Sequence, residues 1–154
     1  MSSLKTLVLY LGTFLLLNSV ARSETFIVSS NADSGTGTLR EALIKAAANG
    51  NISPDIIEFN IAGSSLTDRT ITILSKLPDL SSNLTIDGST QPDAAFGISD
   101  AKVRLLIAYQ APDTWQLCLS ATKQKSIAIY GLEFVETGNN EFFVGLDSDV
   151  LFFL

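Results

Sequence analysis

The side chains that could do chemistry in this chain are few, because its 154 residues include no histidine and a single cysteine, Cys118. Without histidine there is no Ser-His-Asp or Cys-His nucleophile pair, no His-ligated zinc and no imidazole proton shuttle. One cysteine excludes an intrachain disulfide framework and a multi-cysteine metal site. Asp147-Ser148-Asp149 puts two carboxylates on one side of an extended segment, a calcium-like pattern that also reads as a solvated acidic turn. Trp115, Tyr109 and Tyr130 make a sugar-stacking platform if they face outward on successive strands, and core or rim packing otherwise. Asp87, beside a tight turn, has an Asx contact as its ordinary role. Asn51-Ile52-Ser53 and Asn83-Leu84-Thr85 have the form of N-glycosylation acceptors, meaningful only in a secreting eukaryote. The charge of −6, with no Lys/Arg cluster, argues against nucleic acid as a partner. No catalytic, cofactor-binding or metal-binding set emerges.

The amino-terminal residues read as an address. Met1–Lys5 carries one positive charge, Leu7–Leu17 is an almost wholly apolar run of 11 residues, and Ser19-Val20-Ala21 or Ala21-Arg22-Ser23 supplies small residues at cleavage spacing. That is the pattern of a secretory signal peptide, assigned to residues 1–23. A membrane span needs about 20 apolar residues, so none is expected after signal removal. Loss of Lys5 and Arg22 takes the charge from −6 to −8. The product is expected outside the cell or on its surface, and with one thiol its core must come from packing. Cys118 lies in Trp115–Leu119, which alternates like a strand; it reads as a small half-buried side chain, with a reactive thiol or an intermolecular bridge as the alternative.

The elements that must position any site are one helix and a series of short strands. In Thr38–Ala48, Leu39, Ala42, Leu43, Ala46 and Ala47 form a single apolar stripe at helical spacing. Thr38-Leu39-Arg40-Glu41 reads as a capping box, Glu41 and Lys45 as an i,i+4 pair, and Asn49-Gly50 as the stop. Before the helix, Asn31–Gly37 is all turn chemistry. Beyond it the period changes to 2, in Ile57/Phe59/Ile61, Ile71/Ile73, Leu84/Ile86, Val103/Leu105/Ile107 and Ile127/Ile129. An Ile-x-Gly step recurs at Ile61–Gly63, Ile86–Gly88 and Ile129–Gly131, at intervals of 25 and 43 residues. Read as one and two turns of roughly 22 residues, with Val103–Ile107 as the intermediate turn, this is the spacing of a parallel β-solenoid. A β-sandwich with irregular loops is the competing architecture. Gly131 switches the inward parity from Ile127/Ile129 to Leu132/Phe134, as a corner glycine would.

Three segments carry a resemblance. Asn31–Ala42 (NADSGTGTLREA) resembles the amino-terminal motif of secreted bacterial right-handed β-helix proteins, with Leu39-Arg40-Glu41-Ala42 intact, Thr38 in the serine position and Gly37 where the best-known form has cysteine. Ile86–Pro92 (IDGSTQP) is similar to the segment those proteins carry after their first turns, and Asp55–Gly63 (DIIEFNIAG) to the strand between. The likeness covers roughly Thr25–Pro92; Leu66–Arg69 and Asp93–Lys102 have no counterpart in it.

The resemblance implies an all-β fold: a right-handed parallel β-helix of about four coils (residues 51–154) with an amino-terminal cap (residues 24–50), whose α-helix closes the open end of the stack. Arg40 is then either a ligand contact or a structural bond to the adjacent turn. β-Helices include pectate lyases and polygalacturonases, but the hydrolase motifs are missing, and the candidate arginines Arg69 and Arg104 have no pair of acids nearby at strand spacing. The function implied is a non-enzymatic scaffold for adhesion or glycan binding, with extracellular polysaccharide or a cell-surface glycan as partner. The alternatives are a truncated polysaccharide lyase or hydrolase lacking its active coils and a small lectin-like β-sandwich. Phe142, Phe143, Phe152 and Phe153 crowd the last 13 residues, which reads as an uncapped coil of a fragmentary member, prone to end-to-end association, or as a tail that folds back as its own cap. The mature protein is expected to begin at Arg22 or Glu24 and to appear outside the cytoplasm. An intact Met1 on a membrane-embedded product, found by amino-terminal sequencing, contradicts this.

Overall fold

The computed structural model describes residues 22–81, 83–108, 116–121, 126–137, 142–146 and 150–152, with the backbone alone for 116–118, 136, 142–146 and 150–152. Met1–Ala21, Tyr109, Trp115, Asp147, Asp149 and Phe153 lie outside the described residues, as do the side chains of Cys118, Phe142, Phe143 and Phe152.

The chain is mostly strand, arranged in parallel sheets, with one α-helix among the described residues. The strands are β1 (Thr25–Val28), β2 (Asp55–Phe59), β3 (Thr70–Ile73), β4 (Leu84–Asp87), β5 (Val103–Ile107), β6 (Gln116–Ala121), β7 (Ile127–Tyr130), β8 (Leu132–Glu136), β9 (Phe142–Leu146) and β10 (Val150–Phe152); the helix α1 (Leu39–Asn49) follows β1. They form a five-stranded sheet β1-β2-β4-β7-β10, a three-stranded sheet β3-β5-β8 and a pair β6-β9. Every pairing is parallel. Antiparallel hairpins, which a sandwich needs, are absent among the described residues.

Alternation places one face of each strand inside. Phe26, Ile57, Ile86, Ile129 and Phe152 stand at one register level across the large sheet, and Ile71, Leu105 and Phe134 across the second. Ile57, Ile71, Ile86 and Leu105 are wholly buried, and each contributes about 1.5–3 kcal/mol by leaving water. The register also corrects the repeat length. Successive in-register residues of the large sheet are 31, 29, 43 and 23 apart. β4 and β7 are direct neighbours, so the 43-residue interval is one repeat rather than two, and Val103–Ile107 belongs to the second sheet. Connections of unequal length between strands of equal register hid the true period.

The helix follows its sequence signals with small departures. Thr38 is the N-cap, its side chain accepting from the Glu41 N–H. Glu41 reaches back one residue beyond the expected box, accepting from the Gly37 N–H at 2.7 Å, and pairs with Lys45 at 3.0 Å. The Gly37 N–H, and then Lys45, hold the Glu41 carboxyl below its usual range. Leu39, Ala42, Leu43 and Ala46 are buried over β1 and β2, while Ala47, expected in the same stripe, is exposed. Asp55, buried at the start of β2, accepts from the Glu24 N–H and the Asn49 Nδ2, tying β1, the end of α1 and β2 together.

The Ile86–Pro92 segment extends the sheet with side chains. Asp87 caps a 3-10 turn, Gly88–Thr90, by accepting from the Ser89 N–H. Thr90 Oγ1 accepts from the Phe59 N–H at 2.8 Å. Gln91, fully buried, accepts from the Ile61 N–H at 2.8 Å and donates to the Ile61 carbonyl at 2.9 Å. Its amide stands in for a peptide group and carries the ladder past the end of β2. Gly88 and Gly131 abut: a Cβ on Gly88 would run into the Gly131 carbonyl, and Gly131 itself has φ +61°. Gly131 is the corner at which parity changes, with Ile129 and Leu132 both buried on either side. Gln91→Leu leaves the buried Ile61 N–H and C=O without partners and is expected to cost about 2–4 kcal/mol. An unchanged urea midpoint would show that this amide does not carry the ladder.

Candidate functional site

The outer face of β3-β5-β8 presents two rows, Thr70–Arg104–Glu133 and Thr72–Leu106–Val135. Each residue is there by alternation: Val103, Leu105 and Ile107 are buried, so Arg104 and Leu106 face out. Register then sets Arg104 beside Glu133, and Arg104 Nε donates to Glu133 Oε2 at 2.7 Å. Both side chains are partly shielded, at 26% and 33% exposure.

Two loops rise beside this face, 64–69 and 93–102. They contain the two stretches that have no counterpart in the resemblance. Arg69 fastens one to the other. It is 5% exposed, and its guanidinium donates to the Ala94 carbonyl at 2.8 Å, the Lys102 carbonyl at 3.2 Å and the Ser64 carbonyl at 3.1 Å. It also packs 4.4 Å from the centre of the Phe96 ring, a cation–π contact that fixes the ring's position. Asp68 closes the first loop by accepting from the Ser65 hydroxyl and N–H, which together hold its carboxyl below the usual range.

Between loops and sheet runs a groove of about 570 Å³ whose lining includes Leu66, Phe96, Ile98, Arg104 and Glu133. Its volume lies within the range of about 300–1,000 Å³ usual for small-ligand sites. The Arg104 guanidinium is 5.9 Å from the Phe96 ring centre. A second depression of about 420 Å³ shares Leu66 and Arg104 and adds Asn31, Thr70 and Thr72. A third, of about 450 Å³, shares Ser99 and Glu133 and adds Asp100 and Phe134. The Arg104–Glu133 pair therefore lies where three depressions meet.

The two arginines singled out in the sequence differ in role. Arg69 is buried structural material and Arg104 faces the groove. The acid beside Arg104 comes from the neighbouring strand rather than from nearby sequence, and it is a single glutamate, Glu133, rather than a pair. Phe96 was missed altogether; a lone phenylalanine in a loop gives no periodic signal. Tyr130 lies on β7, at the register of Asp87, away from this groove. Arg40 is structural. It donates to Asp33 Oδ1 at 2.7 Å and to the carbonyls of Asp33, Lys76 and Ser75 at 3.1, 2.7 and 2.9 Å, binding helix to turn. Asp33 Oδ1 also accepts from the Leu74 N–H.

The chain matches no family model, and no curated protein or solved structure matches it. Among the described residues no cluster of acidic or cysteine side chains is arranged to hold a metal ion, and no helix is long and apolar enough to cross a membrane. Arg69→Met removes the donor shared by three loop carbonyls and is expected to cost about 1–3 kcal/mol and to expose 93–102 to limited proteolysis. Arg104→Gln, at a partly exposed ion pair, should cost under about 1 kcal/mol. Equal melting losses in the two variants would overturn the division of roles.

Proposed function

We propose that this chain is a secreted or cell-surface right-handed parallel β-helix that acts as a non-enzymatic scaffold and binds glycan in the groove over β3-β5-β8. Support for the coil comes from strand order. From β2 onward, consecutive strands fall first in the large sheet and then in the second, with β6 and β9 adding a third position, and all pairings are parallel. Parallel crossovers are right-handed in about 98% of cases. The likeness of Asn31–Ala42 and Ile86–Pro92 to secreted β-helix proteins points the same way, with α1 as the lid over the first coil.

The observation that carries the binding reading is the groove itself. A rigid sheet supplies a donor and an acceptor side by side, Arg104 and Glu133. A loop pinned by a buried arginine holds an aromatic ring within 6 Å of the Arg104 guanidinium. Glycoside hydrolysis ordinarily needs two carboxylates flanking the bond, and among the described residues Glu133, already paired with Arg104, is the one carboxylate lining this groove. Binding therefore fits the lining better than hydrolysis. A glycan array carrying neutral, uronic-acid and sulfated oligosaccharides tests the reading. Retention of at least one class by the mature chain, lost on Leu66→Arg in a variant with unchanged circular dichroism, is the expected result. Retention of none, or retention indifferent to Leu66→Arg, would overturn it.

A further inference from the structure

We infer that the groove selects neutral glycans through a vicinal diol, with Arg104 and Glu133 acting as one donor–acceptor pair and Phe96 lying against the sugar ring. This deepens the glycan-binding reading and rests on it. The argument begins with what the pair leaves over. Arg104 uses its Nε on Glu133 Oε2; among the described residues its two Nη groups and Glu133 Oε1 make no hydrogen bond. Donors that can only donate therefore stand next to an acceptor that can only accept. Adjacent hydroxyls complement this edge, because a hydroxyl does both: one accepts from Arg104 while its neighbour donates to Glu133.

Charge decides the class. Glu133 already compensates the guanidinium at 2.7 Å, in a groove where both are partly shielded from water. A uronate, sulfate or phosphate reaching Arg104 would bring its own negative charge within contact range of Glu133, and like charges there repel. Asp100, lining the adjoining depression, adds repulsion on that side. A neutral diol leaves the ion pair intact and satisfies what it lacks.

Extent follows from the lining. The depressions that share Arg104 or Glu133 run from Thr70 and Thr72 on β3, past Arg104 on β5, to Glu133 on β8. Strands about 4.8 Å apart place β3 and β8 roughly 10 Å from each other. The ligand is thus a short oligosaccharide lying across the strands rather than a single sugar. Ile98, fully exposed, and Leu66, 40% exposed, form an apolar lip that such a chain would cover.

The test is titration calorimetry of the mature chain with cellotetraose, mannotetraose, tetragalacturonate and a 2,3-di-O-methyl cellotetraose. At least one neutral tetrasaccharide should bind tenfold or more tightly than tetragalacturonate, and methylation should abolish binding. Glu133→Gln, which keeps shape and removes the charge, should weaken the neutral ligand about tenfold and narrow or reverse the preference over tetragalacturonate. Arg104→Gln should weaken both. Glu133→Asp serves as a second variant if the glutamine form melts early. Tighter binding of tetragalacturonate overturns this inference while leaving glycan binding intact. Neutral binding unaffected by either substitution overturns the assignment to Arg104 and Glu133. Failure of all four ligands counts against the glycan reading itself.

Discussion

Parallel pairing is the constraint from which the rest follows. Two parallel neighbours cannot be joined by a hairpin, so the chain must leave the sheet and return before it can pair again. Here the excursions are themselves strands: between β2 and β4 the chain lays down β3, and between β4 and β7 it lays down β5 and β6. Each sheet supplies the crossover for the others, and apolar rows such as Ile57–Ile86–Ile129 and Ile71–Leu105–Phe134 turn toward a shared interior. Where a strand runs out before its neighbour, side chains take over. Gln91 and Thr90 pair with the backbone of Ile61 and Phe59, which gives those peptide groups partners beyond the end of β2.

The same constraint separates stability from recognition. Inward rows are fixed by packing, whereas outward rows and corner loops are free to vary. The two loops over β3-β5-β8 hold a geometry because Arg69, buried among three carbonyls and a phenyl ring, fastens them. Preorganisation of this kind lowers the ordering cost of binding. An ion pair as exposed as Arg104–Glu133 contributes little to folding.

Much of this architecture is readable from local pattern. Thr38, the stripe Leu39/Ala42/Leu43/Ala46 and the period-2 strands all appear as expected, because they depend on neighbours a few residues away. What could not be read depends on distance in sequence. Ile-x-Gly steps are local and suggest a repeat of about 22 residues, whereas pairing joins residues up to 43 apart. Arg104 was visible as a type but not as one half of a pair, since Glu133 reaches it through register alone. Phe96 has no periodicity to announce it; only its contacts with Arg69 and Arg104 do. Ala47 left its stripe because the buried face of α1 is narrower than the apolar one, the helix resting on two strands.

The direct pairing of β4 with β7 is the most exposed part of the account, since it replaces an intermediate turn with a single long repeat. Thr85 and Ala128 are in-register neighbours there, both half-buried, and adjacent strands about 4.8 Å apart fall within the Cα range of a disulfide, about 4.4–6.8 Å. In a Cys118→Ala background, oxidation of the Thr85→Cys/Ala128→Cys protein should give a linked monomer by mass spectrometry, and Thr85→Cys/Arg104→Cys should stay reduced. Linking of the second pair and not the first would place Val103–Ile107 beside β4 and contradict the register on which the groove depends.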